Sequence, residues 1–431
     1  MTLAFADRDF PDGAYRIEDF AGAGRIIVAV SGGSDSTALL VSLHQFLRSH
    51  LPAVEIVAVT VDHGLRAESA AEADDVGALA AGLGIRHVVR RWDGPKPATG
   101  LSEAARLARY RLLADAAREM EAGLLVTGHT LDDQIETVAM RAARGGGRGL
   151  AGMAPATFVG GRWMLRPLFG TSRAALRAYL RRLGRDWIDD PSNDDPAFER
   201  VRVRQRLEGQ PGERRRLAAL QTAAARERIL ESEAAAALID RHARLAAPGL
   251  VRLDRALWQA GQQDAALLAF RALLSVLGGR EQLADAEKAA PLFARLAEPG
   301  RRGVLSRTLA DSRKGGVYLL REARDVPPAD AVLGDVWDGR FRSSPGQAGL
   351  RAGHPSPSPA AFPADAPQSL VAAALRTEPS ASQPDPPRRI LSPWATFLPC
   401  FDLAVAQALA RLFGLPPFPR PPCSSRIDPK A

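Results

Sequence analysis

Val30-Ser31-Gly32-Gly33-Ser34-Asp35-Ser36-Thr37 combines the residue types that can cradle a phosphate chain. Gly32 and Gly33 allow close backbone approach and positive φ. The hydroxyls of Ser31, Ser34 and Ser36 can donate to phosphate oxygens. A helix opening directly after the loop would add its free N–H groups and positive dipole end. The loop lacks the lysine of GxxxxGK[ST], so it is not a Walker A loop. It is not a dinucleotide fingerprint either, because Gly22-Ala-Gly24 precedes the neighbouring apolar run instead of following it. The plainer reading is a Ser/Gly turn ending in a helix capped by Ser34 or Asp35.

Further polar residues recur at the ends of apolar runs. Asp62 closes one such run, where an acid can ligate Mg²⁺, bond a ribose or base, or simply form a turn. His63 beside it suits a substrate contact or a packing role equally. Asp132, Asp133 and Glu136 fall in the first turns of a helix, where acids also suit the macrodipole. Asp132 and Glu136 are spaced i, i+4 on one face, so a single Mg²⁺ could join them to phosphate oxygens. Arg106 and Arg109, spaced i, i+3, can clamp a phosphate, hold an acid or form a solvated basic face.

The elements that must position these groups alternate. The sequence predicts strands at Arg25–Val30, Val54–Val61, Arg86–Arg91 and Leu124–Thr127. Helices are predicted at Ser36–Leu47, Glu68–Leu83, Leu101–Glu121 and Leu131–Arg144, the last stopping at Gly145-Gly-Gly147. Repeated βα units imply an α/β fold with a mostly parallel, doubly wound sheet covered on both faces. Ligands of such sheets bind beyond the carboxyl ends of the strands, where the loop and Asp62 fall.

The remainder divides by composition. Residues 1–24 form an N-terminal extension and 25–209 the catalytic domain. An all-α domain is expected over 210–300, from an Ala/Arg/Glu/Leu-rich pattern. Residues 343–388 contain ten of the 32 prolines and read as a flexible insertion. A small C-terminal module is expected from 301–342 and 389–431. The chain has 431 residues, long enough for two or three domains, with a formal charge of +8 carried almost wholly by arginine. That excess mildly favours a polyanionic partner. Two cysteines, Cys400 and Cys423, exclude a disulfide framework, a Cys₄ zinc site and an iron–sulfur cluster. The N-terminal residues lack the pattern of a secretory signal, and no apolar run reaches membrane-spanning length. A cytoplasmic protein without membrane partners is therefore expected.

The loop SGGSDS resembles the pyrophosphate loop of the N-type ATP pyrophosphatases. Further motifs narrow the resemblance to the tRNA(Ile)-lysidine synthetases. These are Val61-Asp62-His63-Gly64-Leu65-Arg66, Glu103-Ala-Ala-Arg106-Leu-Ala-Arg109-Tyr110, and Thr127-Gly-His129-Thr-Leu-Asp132-Asp133-Gln134-Ile-Glu136-Thr137. Arg144-Gly-Gly-Gly147 with Gly149-Leu-Ala-Gly-Met153, and Asp190-Pro-Ser-Asn193, complete the series. It covers about residues 25–206. The resemblance implies an adenine nucleotide alpha hydrolase-like fold (the PP-loop fold) and two steps on the wobble cytidine of a CAU-anticodon isoleucine tRNA. The cytosine C2 oxygen attacks the α-phosphorus of ATP, and free lysine then displaces AMP from the adenylated base.

Carried over residue by residue, Ser31, Gly32, Gly33, Ser34, Asp35 and Ser36 would hold ATP. Asp35, Asp62, Arg109, Asp132 and Asp133 would be catalytic, with Asp132 and Asp133 the candidates for Mg²⁺. His63, Arg66, Glu103, Arg106, His129, Glu136, Asn193, Arg200 and Arg204 would face substrate or tRNA. The pattern departs in two places, with Val201 where Asn is usual and Gly146 in place of a serine. A tRNA thiolase of the same superfamily would need cysteines in or near the catalytic domain, and none precedes Cys400. An amidotransferase-type synthetase would need an ammonia source that the chain lacks. A non-catalytic RNA-binding protein would not need the intact loop with Asp62, Asp132 and Asp133.

Overall fold

A computed structural model describes residues 10–11, 13–65, 69–190, 194–327, 336–342, 366–379 and 387–423. The chain forms two compact units. One comprises residues 1–228, 399–401 and 420–431; the other comprises 229–398 and 402–419.

The first unit follows the expected alternation. It runs β1 (Arg25–Ala29), α1 (Ser34–His50), β2 (Glu55–Asp62), α2 (Ser69–Gly82), β3 (Arg86–Arg91), α3 (Leu101–Glu119), β4 (Leu124–Val126) and α4 (Leu131–Ala142). The hairpin β5 (Ala156–Val159) and β6 (Arg162–Leu165), then α5 (Arg173–Arg182) and α6 (Glu199–Leu207), complete the series. Six neighbouring strands of its seven-stranded sheet run in the order β5-β6-β4-β1-β2-β3. β1 pairs in parallel with β2 and β4, β2 with β3, and β4 with β6; β5 alone runs antiparallel, against β6. Ile26, Ile27 and Val28 of β1 are fully buried, as a strand covered on both faces requires. Chain order diverges to either side of β1, so the crevice beyond its carboxyl end is the switch point where such sheets bind ligands.

Helix α7 (Pro211–His242) spans the boundary between the units, which falls after Arg228 and not at the expected 209/210. Its first half belongs to the first unit because Leu217 and Ala218 pack with Leu131, Ile135 and Val138 of α4.

The second unit corrects the all-α expectation for 210–300. β7 (Ala243–Ala247) and β8 (Leu250–Leu253) join β9 (Arg302–Leu305), β10 (Thr308–Arg313) and β11 (Gly316–Arg321) in an antiparallel sheet ordered β7-β8-β11-β10-β9. Ala-Arg-Leu-Ala-Ala over β7 reads as helix from propensity, but pairing with β8 overrides it. Residues 302–321 thus complete a sheet begun before 300 instead of opening a separate module. Helices α8 (Gln263–Gly278), α9 (Ala286–Leu296), α10 (Gln368–Leu375) and α11 (Leu403–Leu412) accompany it. α10 lies inside the stretch expected to be a flexible insertion. Its Leu370, Val371, Ala374 and Leu375 are buried against Ala247, Leu250, Tyr318 and Leu320. An apolar face of that size offsets the ordering entropy that the surrounding prolines and serines would leave uncompensated.

Beside this core, Asp338 accepts from Arg321 at 3.0 Å to each oxygen, from Arg340 Nε at 2.6 Å and from Arg307. Arg340 also donates to Glu378 at 2.6 Å, and Arg389 donates to the other Glu378 oxygen. Burial pushes the Asp338 carboxyl up, but the Arg321 hydrogen bonds and the charges of Arg340 and Arg307 outweigh it and hold it below its ordinary range.

Candidate active site

The loop leaving β1 opens α1 earlier than expected, at Ser34, which puts Asp35 and Ser36 in the first helical turn. Gly33 is the N-cap, and among the described residues no side chain caps the helix. The capped turn considered from sequence does not form, and the first N–H groups of α1 stay available to an anion. The loop is curled by its own hydroxyls. Ser36 Oγ accepts from Ser31 N at 3.1 Å, lies 3.3 Å from Ser31 Oγ and donates to Gly33 O at 3.1 Å. Gly32 has φ +84°, and a Cβ there would stand 2.5 Å from Ile188 Cδ1. Ile188 N donates to Gly32 O at 2.9 Å, tying a distant segment over the loop. Only glycine fits.

Four acids meet four arginines next to this loop. Arg173, the first residue of α5, lies among them. Its Nε donates to Asp35 Oδ2 at 3.1 Å and its Nη2 to Asp133 Oδ1 at 3.4 Å; Nη1 lies 3.7 Å from Glu136 Oε1. Its backbone N donates to Asp132 Oδ2 at 2.7 Å. Burial raises the Asp35 carboxyl and the charge of Asp133 raises it further, while Arg173 pulls it back. Burial disfavours the Arg173 cation, yet Asp35, Asp133, Glu136 and Asp132 together raise its pKa above the ordinary guanidinium value. Glu136 is 1% exposed at its side chain and also takes Arg204 Nε at 2.8 Å, with Arg200 Nε at 3.6 Å. Arg200 reaches Asp133 at 3.8 Å and donates to Thr137 Oγ1.

This packing separates two acids that sequence reasoning left together. Both Asp132 oxygens are engaged, by Arg173 N and by Arg214 Nη2 at 2.7 Å. Asp133 uses Oδ2 in a capping box, accepting from Thr130 N at 2.8 Å and Thr130 Oγ1 at 2.9 Å, and turns Oδ1 to Arg173. The bridge from Asp132 to Glu136 through one Mg²⁺ is therefore not built, because arginines occupy both carboxylates. Among the described residues no three His, Cys, Asp or Glu side chains form a metal cage. Asp35 and Asp133 each give an oxygen to Arg173, so a Mg²⁺ held by this pair would take that guanidinium's place and draw its other ligands from phosphates and water. The charge of Asp133 adds to the need of the Asp35 carboxyl for a cation, and the two now share one in Arg173.

A second group lies on β2, α3 and β6. Asp62 Oδ1 accepts from Gly64 N at 2.7 Å, the turn-forming role, and Oδ2 lies 3.8 Å from Arg91 Nε. His63 stands edge-on to Trp92, its Nδ1 buried without a partner among the described residues. Burial and the charge of Arg109 lower its pKa. Arg106 is paired with Glu103 on the exposed face of α3 at 3.0 Å, closer to the solvated alternative than to a clamp. Arg106 and Arg109 both lie over the Tyr110 ring, 5.3 and 5.4 Å from its centroid. Buried Arg166 bonds the Tyr110 hydroxyl and donates to Ala154 O at 2.7 Å and Thr157 Oγ1 at 2.9 Å. Burial raises the Tyr110 pKa, but Arg166, Arg109 and Arg106 outweigh it and bring it down to about 8. His129 Nδ1 lies 3.0 Å from Thr127 Oγ1. Burial, then Arg166 and Arg109, lower its pKa well below the ordinary value and keep it neutral.

Arg66 and Asn193 lie outside the described residues. Val201, where the resembled pattern has Asn, is buried in α6. Gly146 falls in a run of three left-handed glycines (φ +92°, +70° and +55° at 145–147), a conformation that a serine would adopt only under strain. Sequence reasoning missed Arg166, Arg173, Arg177 and Arg214. For Arg173 and Arg177 a signal existed, since Thr171-Ser172 before an Arg-rich helical pattern marks a helix start. Ser172 does cap α5, accepting from Ala175 N.

A PP-loop domain family matches residues 12–210. Over 98% of this chain and 96% of its own length, a tRNA(Ile)-lysidine synthase of Mesorhizobium japonicum is 46% identical. One from Rhizobium meliloti is 40% identical over 92% of this chain and 93% of its own, and one from Brucella suis is 43% identical over 73% of each. Identity of this extent across nearly the whole length, joined to an uncapped phosphate loop at the sheet's switch point, means that the chain belongs to the tRNA(Ile)-lysidine synthase family.

Proposed function

We propose that this protein joins free lysine to C2 of the wobble cytidine of a CAU-anticodon isoleucine tRNA, with ATP converted to AMP and pyrophosphate. The near full-length likeness to lysidine synthases carries this reading, and the open loop supports it. The N–H groups and hydroxyls of Ser31–Ser36 take the pyrophosphate portion of ATP, leaving the α-phosphorus to the cytosine C2 oxygen. That bond forms as pyrophosphate departs with the electron pair of the broken P–O bond. The ε-amine of lysine then attacks C2, AMP leaves, and the amine gives up its protons. When bound, Mg²⁺ supplies charge neutralisation on the phosphates, held by Asp35 and Asp133. Glu136 and Asp132 orient the arginines facing them. Arg109, His63 and the neutral His129 line the base side, and Asp62 shapes the turn beneath them. Arg66, Glu103, Arg106, Asn193, Arg200 and Arg204 contact RNA backbone or loop nucleotides, whose bases are unstacked and readable in an anticodon loop. No helix among the described residues is long and apolar enough to cross a membrane.

The test is AMP release from ATP labelled at the α-phosphate, with an unmodified CAU-anticodon isoleucine transcript, with and without lysine. Lysine-dependent release is expected, absent with a methionine CAU transcript and abolished by Asp35→Ala. Release that ignored lysine but answered a sulfur donor or ammonia would overturn the substrate assignment while leaving the ATP loop intact.

A further inference from the structure

Pyrophosphate leaves carrying several negative charges, yet the loop from Val30 to Thr37 contains no lysine or arginine. Backbone dipoles at the start of α1 supply only about half a positive charge. A phosphate loop without its own cation needs one from elsewhere in the fold, and α5 brings it. Arg177 stands one turn beyond Arg173 on the same helix face. Its Nε donates to Ser34 Oγ at 3.3 Å, and Ser34 Oγ in turn donates to Asp35 Oδ1 at 3.2 Å. Its Nη2 donates to Asp189 Oδ1 at 2.8 Å, and the guanidinium lies 5.5 Å from the centre of the Trp187 ring. Three restraints thus fix the plane of the group at the loop. Its Nη1 has no protein partner among the described residues, and the side chain is 36% exposed. A guanidinium held in one orientation, with donors to spare, matches phosphate oxygens without first having to be ordered.

We propose that Arg177 is a pyrophosphate-binding residue of this site. Its guanidinium donates to the non-bridging oxygens of the leaving pyrophosphate as the bond from the α-phosphorus to the bridging oxygen breaks. The backbone N–H of Ser34, at the uncapped start of α1, donates to the same group, while its hydroxyl proton stays with Asp35. No proton or electron passes through Arg177. Its contribution is electrostatic and grows as charge accumulates on the leaving group. The inference rests on ATP being the adenylyl donor. It also gives the Arg185–Asp190 segment a task, because Trp187 and Asp189 hold the arginine while Ile188 closes over Gly32.

The test compares R177M, R177K and D189N in the full chain. It measures inorganic pyrophosphate binding with Mg²⁺ by calorimetry and KM for ATP, lysine and tRNA by AMP release. R177M is expected to weaken pyrophosphate binding about 30-fold and lower kcat by a similar factor. R177K, which keeps the charge but not the fork, should recover part of both, and KM for lysine and tRNA should move less than about twofold. D189N, which loosens the tether but keeps the guanidinium, should weaken pyrophosphate binding no more than about threefold. Equal losses in R177M and D189N would mean that Arg177 serves only to hold the 185–190 segment, overturning the proposal. So would a folded R177M that binds pyrophosphate normally. If the wild-type protein bound neither pyrophosphate nor ATP, the ATP reading itself would fall, and that result cannot be confused with a failure of R177M alone.

Discussion

Arginines and acids cluster twice in this molecule, and the two clusters differ in kind. In the second unit, Asp338 and Glu378 serve Arg307, Arg321, Arg340 and Arg389. The side chains of Asp338, Arg321 and Arg340 have no exposure at all. The surplus of cations there is absorbed by backbone carbonyls. Arg321 donates to Arg324 O at 2.9 Å and Asp325 O at 3.1 Å, and Arg340 donates to Thr377 O. In the first unit, Asp35, Asp132, Asp133 and Glu136 balance Arg173, Arg200, Arg204 and Arg214, whose side chains stay between 19% and 41% exposed. The network of the second unit is sealed at its centre, where Asp338, Arg321 and Arg340 meet no water, and only Arg307 at its rim is as exposed (21%) as Arg173 (19%) in the other. The network of the first unit has no sealed arginine: every one of its four is within reach of water and ligands. A sealed network builds structure, whereas a reachable one can exchange protein partners for substrate.

The comparison breaks most visibly at Asp338. Replacing it with Asn leaves three guanidinium groups facing a neutral side chain. The expected cost is about 3–5 kcal/mol, the range for breaking a buried ion pair, read by chemical denaturation. A loss below about 1 kcal/mol would mean that this network is not sealed. Glu136→Gln should behave in the opposite way. Its arginine partners can turn to solvent, so stability is expected to fall by less than about 2 kcal/mol. AMP release should drop by about 100-fold, a transition-state loss of about 2.7 kcal/mol. A large stability loss with activity retained would place Glu136 in the structural class.

The smallest effect concerns Tyr110, which Arg166, Arg109 and Arg106 bring down to about 8. The chain has four tyrosines, and burial pushes Tyr179 up to about 12. Tyrosinate absorbance should therefore show one early step near pH 8 that Tyr110→Phe removes. The folded protein releases this proton at about 8 and the unfolded chain at 10.0. The unfolded state binds more protons in that interval, so stability should rise with pH from about 8 to 10 and stay flat below it. Tyr110→Phe should lose this rise.

The sequence was most legible where local pattern and tertiary fate agree. β1, β2 and β4 lie within a residue or two of expectation because strands buried on both faces advertise themselves, and the edge strand β3 falls where its Val88-Val89 core and flanking turns place it although none of its residues is buried. The loop Ser31–Ser36 was readable for the same reason: its chemistry lies in consecutive residues. Arg173 and Arg177 were not, since their meaning arises only when α5 folds back on α1 and α4. β7 hid behind helix-favouring residues, and α10 behind the prolines around it. Asp132 and Asp133 looked interchangeable in sequence. What separates them is a capping box on one and Arg214, far along the chain, on the other.

The hydrogen bond from Ile188 to Gly32 also bears on the order in which the protein is made. The six residues SGGSDS leave the ribosome early, but the backbone N–H that closes over Gly32 O arrives only after α5 has been synthesised. A nascent chain stopped before Ile188 would carry the hydroxyl-curled loop without the segment that closes over Gly32. The loop is thereby completed only once the helix that bears Arg173 and Arg177 is present, so its covering segment and its counter-charges arrive together.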